Sequence, residues 1–160
     1  MTLKRYIPMA DDDLWEFLEL QRIASIATLT SEGLPHSTPV WFVIEGRKLF
    51  FRVQSYKAKF RNISQFSTVS CSFEDGDKYT ELRGVSILGK AQVITDLAMY
   101  NRINLKLLEK YKNERNYEEM PEAWRVKFEA EPRKIVEITP FHIYSWDNRE
   151  WCKSQSDHHG

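Results

Sequence analysis

Ile23-Ala24-Ser25-Ile26-Ala27-Thr28-Leu29, Ser37-Thr38-Pro39-Val40-Trp41-Phe42-Val43-Ile44 and Lys48-Leu49-Phe50-Phe51-Arg52-Val53 are three apolar-rich runs whose order decides the fold of this chain. Ser31-Glu32-Gly33 and Glu45-Gly46-Arg47 stand between them and supply turn residues. The chain therefore reverses twice, and the runs read as consecutive antiparallel strands of a β-meander.

Strand signals continue downstream. Val69, Cys71 and Phe73 alternate with Ser70 and Ser72, which buries one face, and Glu74-Asp75-Gly76-Asp77 closes that strand with a solvated turn. The segment from Leu82 to Thr95 carries Val85, Ile87, Ala91 and Val93 together with Gly84 and Gly89, the mark of a bent or bulged strand that closes a barrel. Lys134 to Thr139 and His142 to Trp146 read as a last strand or two, interrupted at Pro140, with a polar tail over residues 148–160.

Helices flank these strands. Asp11-Asp12-Asp13 puts acidic side chains at a positive helix end, and Leu14, Phe17 and Leu18 follow at helical spacing, predicting a helix over about 11 to 21. Phe60, Ile63 and Phe66 predict a short helix beginning near Ser55. Asp96 stands where it caps a helix carrying Leu97, Tyr100, Ile103, Leu107, Leu108 and Tyr111, and Ala123, Val126 and Phe128 predict another after Pro121. The fold class is mainly β with flanking helices, in one domain over residues 1–147.

Composition narrows the functional classes. The 160 residues carry 23 Lys plus Arg and 23 Asp plus Glu, so net charge is zero and a bulk electrostatic case for binding nucleic acid is absent. No apolar run approaches the roughly 20 residues that span a bilayer, so no membrane partner is expected. Cys71 and Cys152 lack the paired spacing of a zinc site or redox dithiol, no signal segment opens the chain, and a reducing cytoplasm fits. His36, His142, His158 and His159 make no metal set, and none is expected.

Chemistry concentrates in one place. Between Glu45 and Glu74 no acidic residue occurs, yet Arg47, Lys48, Arg52, Lys57, Lys59 and Arg61 all fall there. A strand end followed by a helix start, with Ser55 and Asn62 as neutral donors, suits an anion such as a phosphate; a solvated basic face is the other reading. Pro39-Val40-Trp41-Phe42 likewise offers either a flat apolar wall for a ring or ordinary core.

Together these residues resemble the flavin-binding split barrels related to pyridoxamine 5′-phosphate oxidase. The resemblance runs through Arg22 to Leu29, Glu32 to His36, Ser37 to Val43, Leu49 to Arg52, Lys57 to Ile63, Gly84 to Ala91 and Pro140 to Trp146. It implies an antiparallel split β-barrel that binds FMN, with Lys57, Lys59 and Asn62 in the phosphate segment and Arg52 and Ser55 on the phosphate or ribityl chain. It also implies that Pro39, Val40 and Trp41, with Val53 and Gln54 at the adjacent strand end, line the ring and ribityl chain, Trp41 forming the ring wall. A homodimer is implied, with the cofactor at the subunit interface and Trp146 approaching the partner's flavin.

The Arg-Leu-His-type substrate motif of true pyridoxamine phosphate oxidases is missing after Trp146, which points to the short branch that uses FMN or the deazaflavin coenzyme. The expected activity is transfer of hydride or electrons between a reduced nicotinamide and a small organic acceptor. A non-catalytic flavin- or haem-binding storage or sensor protein is the alternative.

Overall fold

One residue, Trp41, separates the strand Pro35–Val40 (β2) from the strand Phe42–Glu45 (β3). The two nevertheless lie at opposite ends of a seven-stranded antiparallel sheet in the order β2-β1-β5-β6-β7-β4-β3. Its other strands are β1 (Ala24–Leu29), β4 (Lys48–Gln54), β5 (Thr68–Asp75), β6 (Arg83–Val93) and β7 (Arg133–Asp147). End strands joined by a single residue force the sheet to curl until its edges meet, which makes a split barrel. These relations come from a computed structural model that describes residues 7–112, 119, 121–123, 126 and 133–156.

The meander expectation is therefore corrected. The β1–β2 and β3–β4 hairpins form as the turns predict, but the run from Ser37 to Ile44 breaks at Trp41 instead of continuing as one strand. The β3–β4 hairpin turns at Gly46 and Arg47, with φ of 58° and 60°, the left-handed pair that suits the twist of the flanking strands. β4 then pairs with β7 on its other side.

Among the described residues, the helices α1 (Asp11–Leu20), α2 (Ala58–Gln65), α3 (Leu97–Lys110) and α4 (Asn148–Ser156) flank the sheet. Leu14, Phe17 and Leu18 of α1 are buried at the predicted spacing. Asp96 caps α3 by accepting from the Met99 N–H at 2.7 Å. The helix expected after Pro121 lies largely outside the described residues. Residues 148–156, read as tail, instead form α4, whose start is tied down where Asn148 donates to the carbonyls of Leu82 and Tyr79.

Two cores result, and strand alternation explains both. Phe42, Phe51 and Val136 face the barrel interior with Ile26, Phe73, Val85 and Ile87. Their chain neighbours Val43, Phe50 and Ile135 face the other way and pack under Ile103, Leu107 and Tyr111 at α3. β3, β4 and the Ile135-Val136 step of β7 are thus buried on both faces, which is why Phe42-Val43, Leu49-Phe50-Phe51 and Ile135-Val136 read as continuous apolar runs.

β7 is one strand of 15 residues, not two. Pro140 sits opposite Gly89 where the register slips between Leu88 and Gly89, leaving Phe141 as the extra residue. A bulge is where a strand tolerates the missing N–H of proline. Gly89 has no room for a side chain there, because a Cβ would lie 2.6 Å from Ile138 Cγ2. No helix among the described residues is long and apolar enough to cross a membrane.

Candidate functional site

At the end of β4 the barrel rim opens into a cleft of about 230 Å³, lined by Pro39, Val40, Trp41, Arg52, Val53, Gln54, Lys59, Leu107, Tyr111 and Arg133. Three elements build it. The β2–β3 corner presents Trp41, which is 39% exposed. The β4 end presents Arg52 and Gln54 on the face shared with Phe50, and α3 contributes Leu107 with Tyr111 just beyond its end.

Tyr111 organises the apolar wall. Its ring stacks parallel to Trp41, with centroids 4.6 Å apart and planes 4° apart, and the Arg22 guanidinium lies 4.7 Å from its centroid. The hydroxyl accepts from the Phe42 N–H at 3.0 Å and lies within donating distance of the carbonyls of Phe42 and Arg22, at 2.8 and 2.9 Å. Phe42 begins an end strand, so the phenol satisfies backbone groups that no neighbouring strand takes up.

The polar side of the cleft is cationic. Arg52 Nη1 donates to Asn104 Oδ1 at 3.0 Å, which aims the guanidinium from β4 toward α3. Arg133 pairs with Gln54 across the β4–β7 ladder, and its carbonyl accepts from the Tyr100 hydroxyl at 3.4 Å. Lys59, in the first turn of α2, is half-buried, and this burial, followed by repulsion from Lys57, pushes its ammonium down to about 8.

The structure thus brings Pro39, Val40, Trp41, Arg52, Val53, Gln54 and Lys59 together as the sequence predicts. It does not bring the others. Lys57 is exposed at the N-cap position of α2, with its ammonium 5.0 Å from the Tyr56 ring, and Ser55 lies outside the cleft wall. Asn62 is turned inward, 7% exposed, and its Nδ2 donates to Thr28 Oγ1 at 3.0 Å, so its amide ties α2 to β1. Trp146 lies at the far end of β7 from Arg133, across Gly84, where any Cβ would strike the indole ring.

The basic run itself disperses. Arg47 reaches Asp11 at 2.6 Å, Lys48 reaches Glu137 at 2.9 Å and Arg61 donates to the Tyr56 carbonyl at 2.6 Å, so of its six cations only Arg52 and Lys59 line the cleft. Sequence reasoning missed Leu107, Tyr111 and Arg133 as cleft residues. The helical stripe shows the first two only as core, and nothing local marks Arg133. Among the described residues no cluster of three or more His, Cys, Asp or Glu could hold a metal ion; His158 and His159 lie outside them.

Comparison with known proteins adds context. The family model described as pyridoxamine 5′-phosphate oxidase matches residues 10–147. A conserved hypothetical protein of Mycobacterium tuberculosis is similar at 25% identity and a TM-score of 0.78, over 94% of this chain and 92% of that one. An F420 reductase is similar at 24% identity and 0.61, over 86% and 98%. A haem storage protein of Vibrio cholerae is similar at 12% identity and 0.66, over 87% and 97%. No protein of the curated set matches the sequence.

Proposed function

The chain belongs to the pyridoxamine 5′-phosphate oxidase family, and from that premise we propose that its rim cleft binds a flavin, FMN, for an oxidoreductase reaction. The observation that carries this is the juxtaposition in one cleft of a flat wall, Trp41 stacked on Tyr111, with the cations Arg52, Lys59 and Arg133. An isoalloxazine needs such a wall, and its phosphate tail needs such cations. When bound, the flavin supplies hydride transfer between a reduced nicotinamide and a small organic acceptor.

The chain's own residues bind and orient. Lys59 meets the phosphate, helped by the N–H groups of the first turn of α2 and by Lys57 beside it. Trp41 and Val40 wall the ring, and Arg52 and Gln54 face the chain between ring and phosphate. Ser55 stands next along the strand for the same chain. The Asn62 amide holds α2 against β1, and so places Lys59.

The cleft of one chain, about 230 Å³, falls below the roughly 300–1,000 Å³ usual for a small-molecule site. A homodimer completes it in our reading, with the cofactor between subunits and Trp146 offered to the partner's ring. Residues 1–147 form the cofactor-binding unit, and a buried Cys71 that takes part in no disulfide suits a cytoplasmic protein.

The absorption spectrum of the purified protein tests the proposal. A flavin band released on denaturation as FMN supports it, a deazaflavin spectrum replaces the cofactor but keeps the site, and a colourless protein that takes up neither overturns it. Anaerobic mixing of the loaded protein with NADH and NADPH tests the enzyme. Bleaching supports catalysis; persistent colour with either donor, and with other reductants, makes the protein a non-catalytic carrier. Replacing Lys57 and Lys59 together with Ala weakens FMN binding by about 1.5–3 kcal/mol for each charge-assisted hydrogen bond removed, at least tenfold in all, and leaves riboflavin affinity nearly unchanged.

A further inference from the structure

The helix α3 meets the sheet along one stripe. Tyr100, Asn104, Leu107 and, just beyond the helix end, Tyr111 follow one another at helical spacing, so they share a face. Ile103, Leu107 and Tyr111 on that side are buried against Val43, Phe50 and Ile135 of the sheet. A helix face that packs on a sheet is ordinarily apolar, and asparagine is a poor helix former, so Asn104 is out of place in the middle of the stripe unless its amide has a task.

The polar groups of the stripe differ in what they meet. The Tyr111 hydroxyl bonds backbone groups of Phe42 on β3, and the Tyr100 hydroxyl donates to the carbonyl of Arg133 on β7. These contacts fasten the two ends of the stripe to main chain. Asn104, between them, meets a side chain: its Oδ1 accepts from Arg52 Nη1 at 3.0 Å, and Arg52 lines the cleft. Docking of α3 does not call for this bond, because the buried apolar residues and the two tyrosine hydroxyls already hold the helix on the sheet.

The bond matters for what Arg52 does. An arginine side chain has many rotamers, and a ligand that must freeze them on binding loses affinity in proportion. A guanidinium is planar and rigid, so an acceptor that fixes one of its nitrogens also restricts the plane in which the others donate. Asn104 supplies such an acceptor from an element that does not itself line the cleft at that position.

We propose that Asn104 is a positioning residue, which holds the Arg52 guanidinium in the orientation in which it meets the ligand of the cleft, so that α3 acts on binding through Arg52. This rests on the flavin reading of the cleft and adds to it a residue outside the cleft wall.

The test is calorimetric titration of the full chain with FMN in wild type, Asn104→Leu, Asn104→Gln, Arg52→Gln and the double variant Asn104→Leu with Arg52→Gln. The deazaflavin coenzyme takes the place of FMN if wild type binds only that. Asn104→Leu, which fills the same space without an acceptor, weakens binding about three- to tenfold and by no more than Arg52→Gln does. Asn104→Gln keeps an amide oxygen and recovers part of the loss. In the Arg52→Gln background, Asn104→Leu changes affinity by less than about twofold, whereas a helix loosened in general carries its loss into that background as well. Asn104→Ala, an excellent helix former, is read in the same way should Asn104→Leu not fold.

Unchanged affinity in Asn104→Leu, unchanged affinity in Arg52→Gln, or a loss that persists undiminished in the double variant overturns the proposal and leaves the flavin site in place. Wild type that takes up neither FMN nor the deazaflavin coenzyme overturns the flavin reading itself, and this proposal with it.

Discussion

Tyr111→Phe removes one oxygen atom and nothing else, so its effect can be worked from the hydrogen bonds that oxygen makes. The ring stays buried, 1% exposed, and keeps its stacking on Trp41. The hydroxyl that accepts from the Phe42 N–H at 3.0 Å disappears, and so does the proton it shares between the carbonyls of Phe42 and Arg22. One O–H donates to only one of these at a time, so the variant loses two hydrogen bonds and strands a buried N–H, and leaving such a group unpaired costs about 1–3 kcal/mol.

For a chain of this length each kcal/mol moves the melting temperature by about 2–4 °C, so a loss near 2 kcal/mol lowers it by about 4–8 °C. Differential scanning calorimetry at matched protein concentration reads the change, because the melting point of any self-associating protein depends on concentration. Trp fluorescence reports the wall: if the phenol pins the corner, Trp41 becomes more accessible to a neutral quencher. An unchanged melting point with unchanged quenching would show that the hydroxyl does not hold the β2–β3 corner.

Three other outcomes follow from the same geometry. Asn62→Ala costs about 0.5–1.5 kcal/mol in chemical denaturation by removing the bond its amide donates to Thr28 Oγ1, whose hydroxyl keeps its own donation to the His36 carbonyl, while FMN affinity of the folded fraction changes less than threefold; a tenfold loss would make the amide a ligand group. Gly84→Ala drives a methyl group into the Trp146 indole, so we expect overpacking of about 1–3 kcal/mol and an altered Trp emission spectrum, and unchanged emission would refute the packing of Trp146 on Gly84. The Lys59 ammonium is pushed down to about 8, so FMN affinity falls as pH rises through about 8 instead of near 10.5, and Lys59→Gln flattens that step. Between those pH values the unfolded chain holds a proton on Lys59 that the folded chain has released, so this lysine's contribution to stability rises with pH there, opposite in sign to its effect on binding.

The sequence made most of the barrel legible because strand chemistry is local. The alternation of Val69, Cys71 and Phe73, the Glu45-Gly46-Arg47 turn and the Asp96 cap each depend on residues within a few positions, and each stands as read. What escaped depends on distance. The break at Trp41 exists because β3 must leave β2 for the far end of the sheet, and nothing in Val40-Trp41-Phe42 records which strand β4 will meet. Pro140 looked like a terminator because its missing N–H forbids regular pairing, yet Gly89, 51 positions away in the chain, provides the bulge that accommodates it.

The site shows the same division, and charge shows it most clearly. The run from Arg47 to Arg61 is concentrated in sequence, but a strand sends successive side chains to opposite faces and a turn sends them outward. Arg47 at the hairpin tip meets the acidic first turn of α1, and Lys48, one residue later, reaches across to Glu137 on β7. Six basic residues in series therefore become a cleft with two of them, and the third cation, Arg133, arrives from a strand 81 residues after Arg52. A count of charges along the chain predicts that an anion binds somewhere near α2. Only the pairing of Gln54 with Arg133 brings a third basic residue, from the start of β7, to the same cleft.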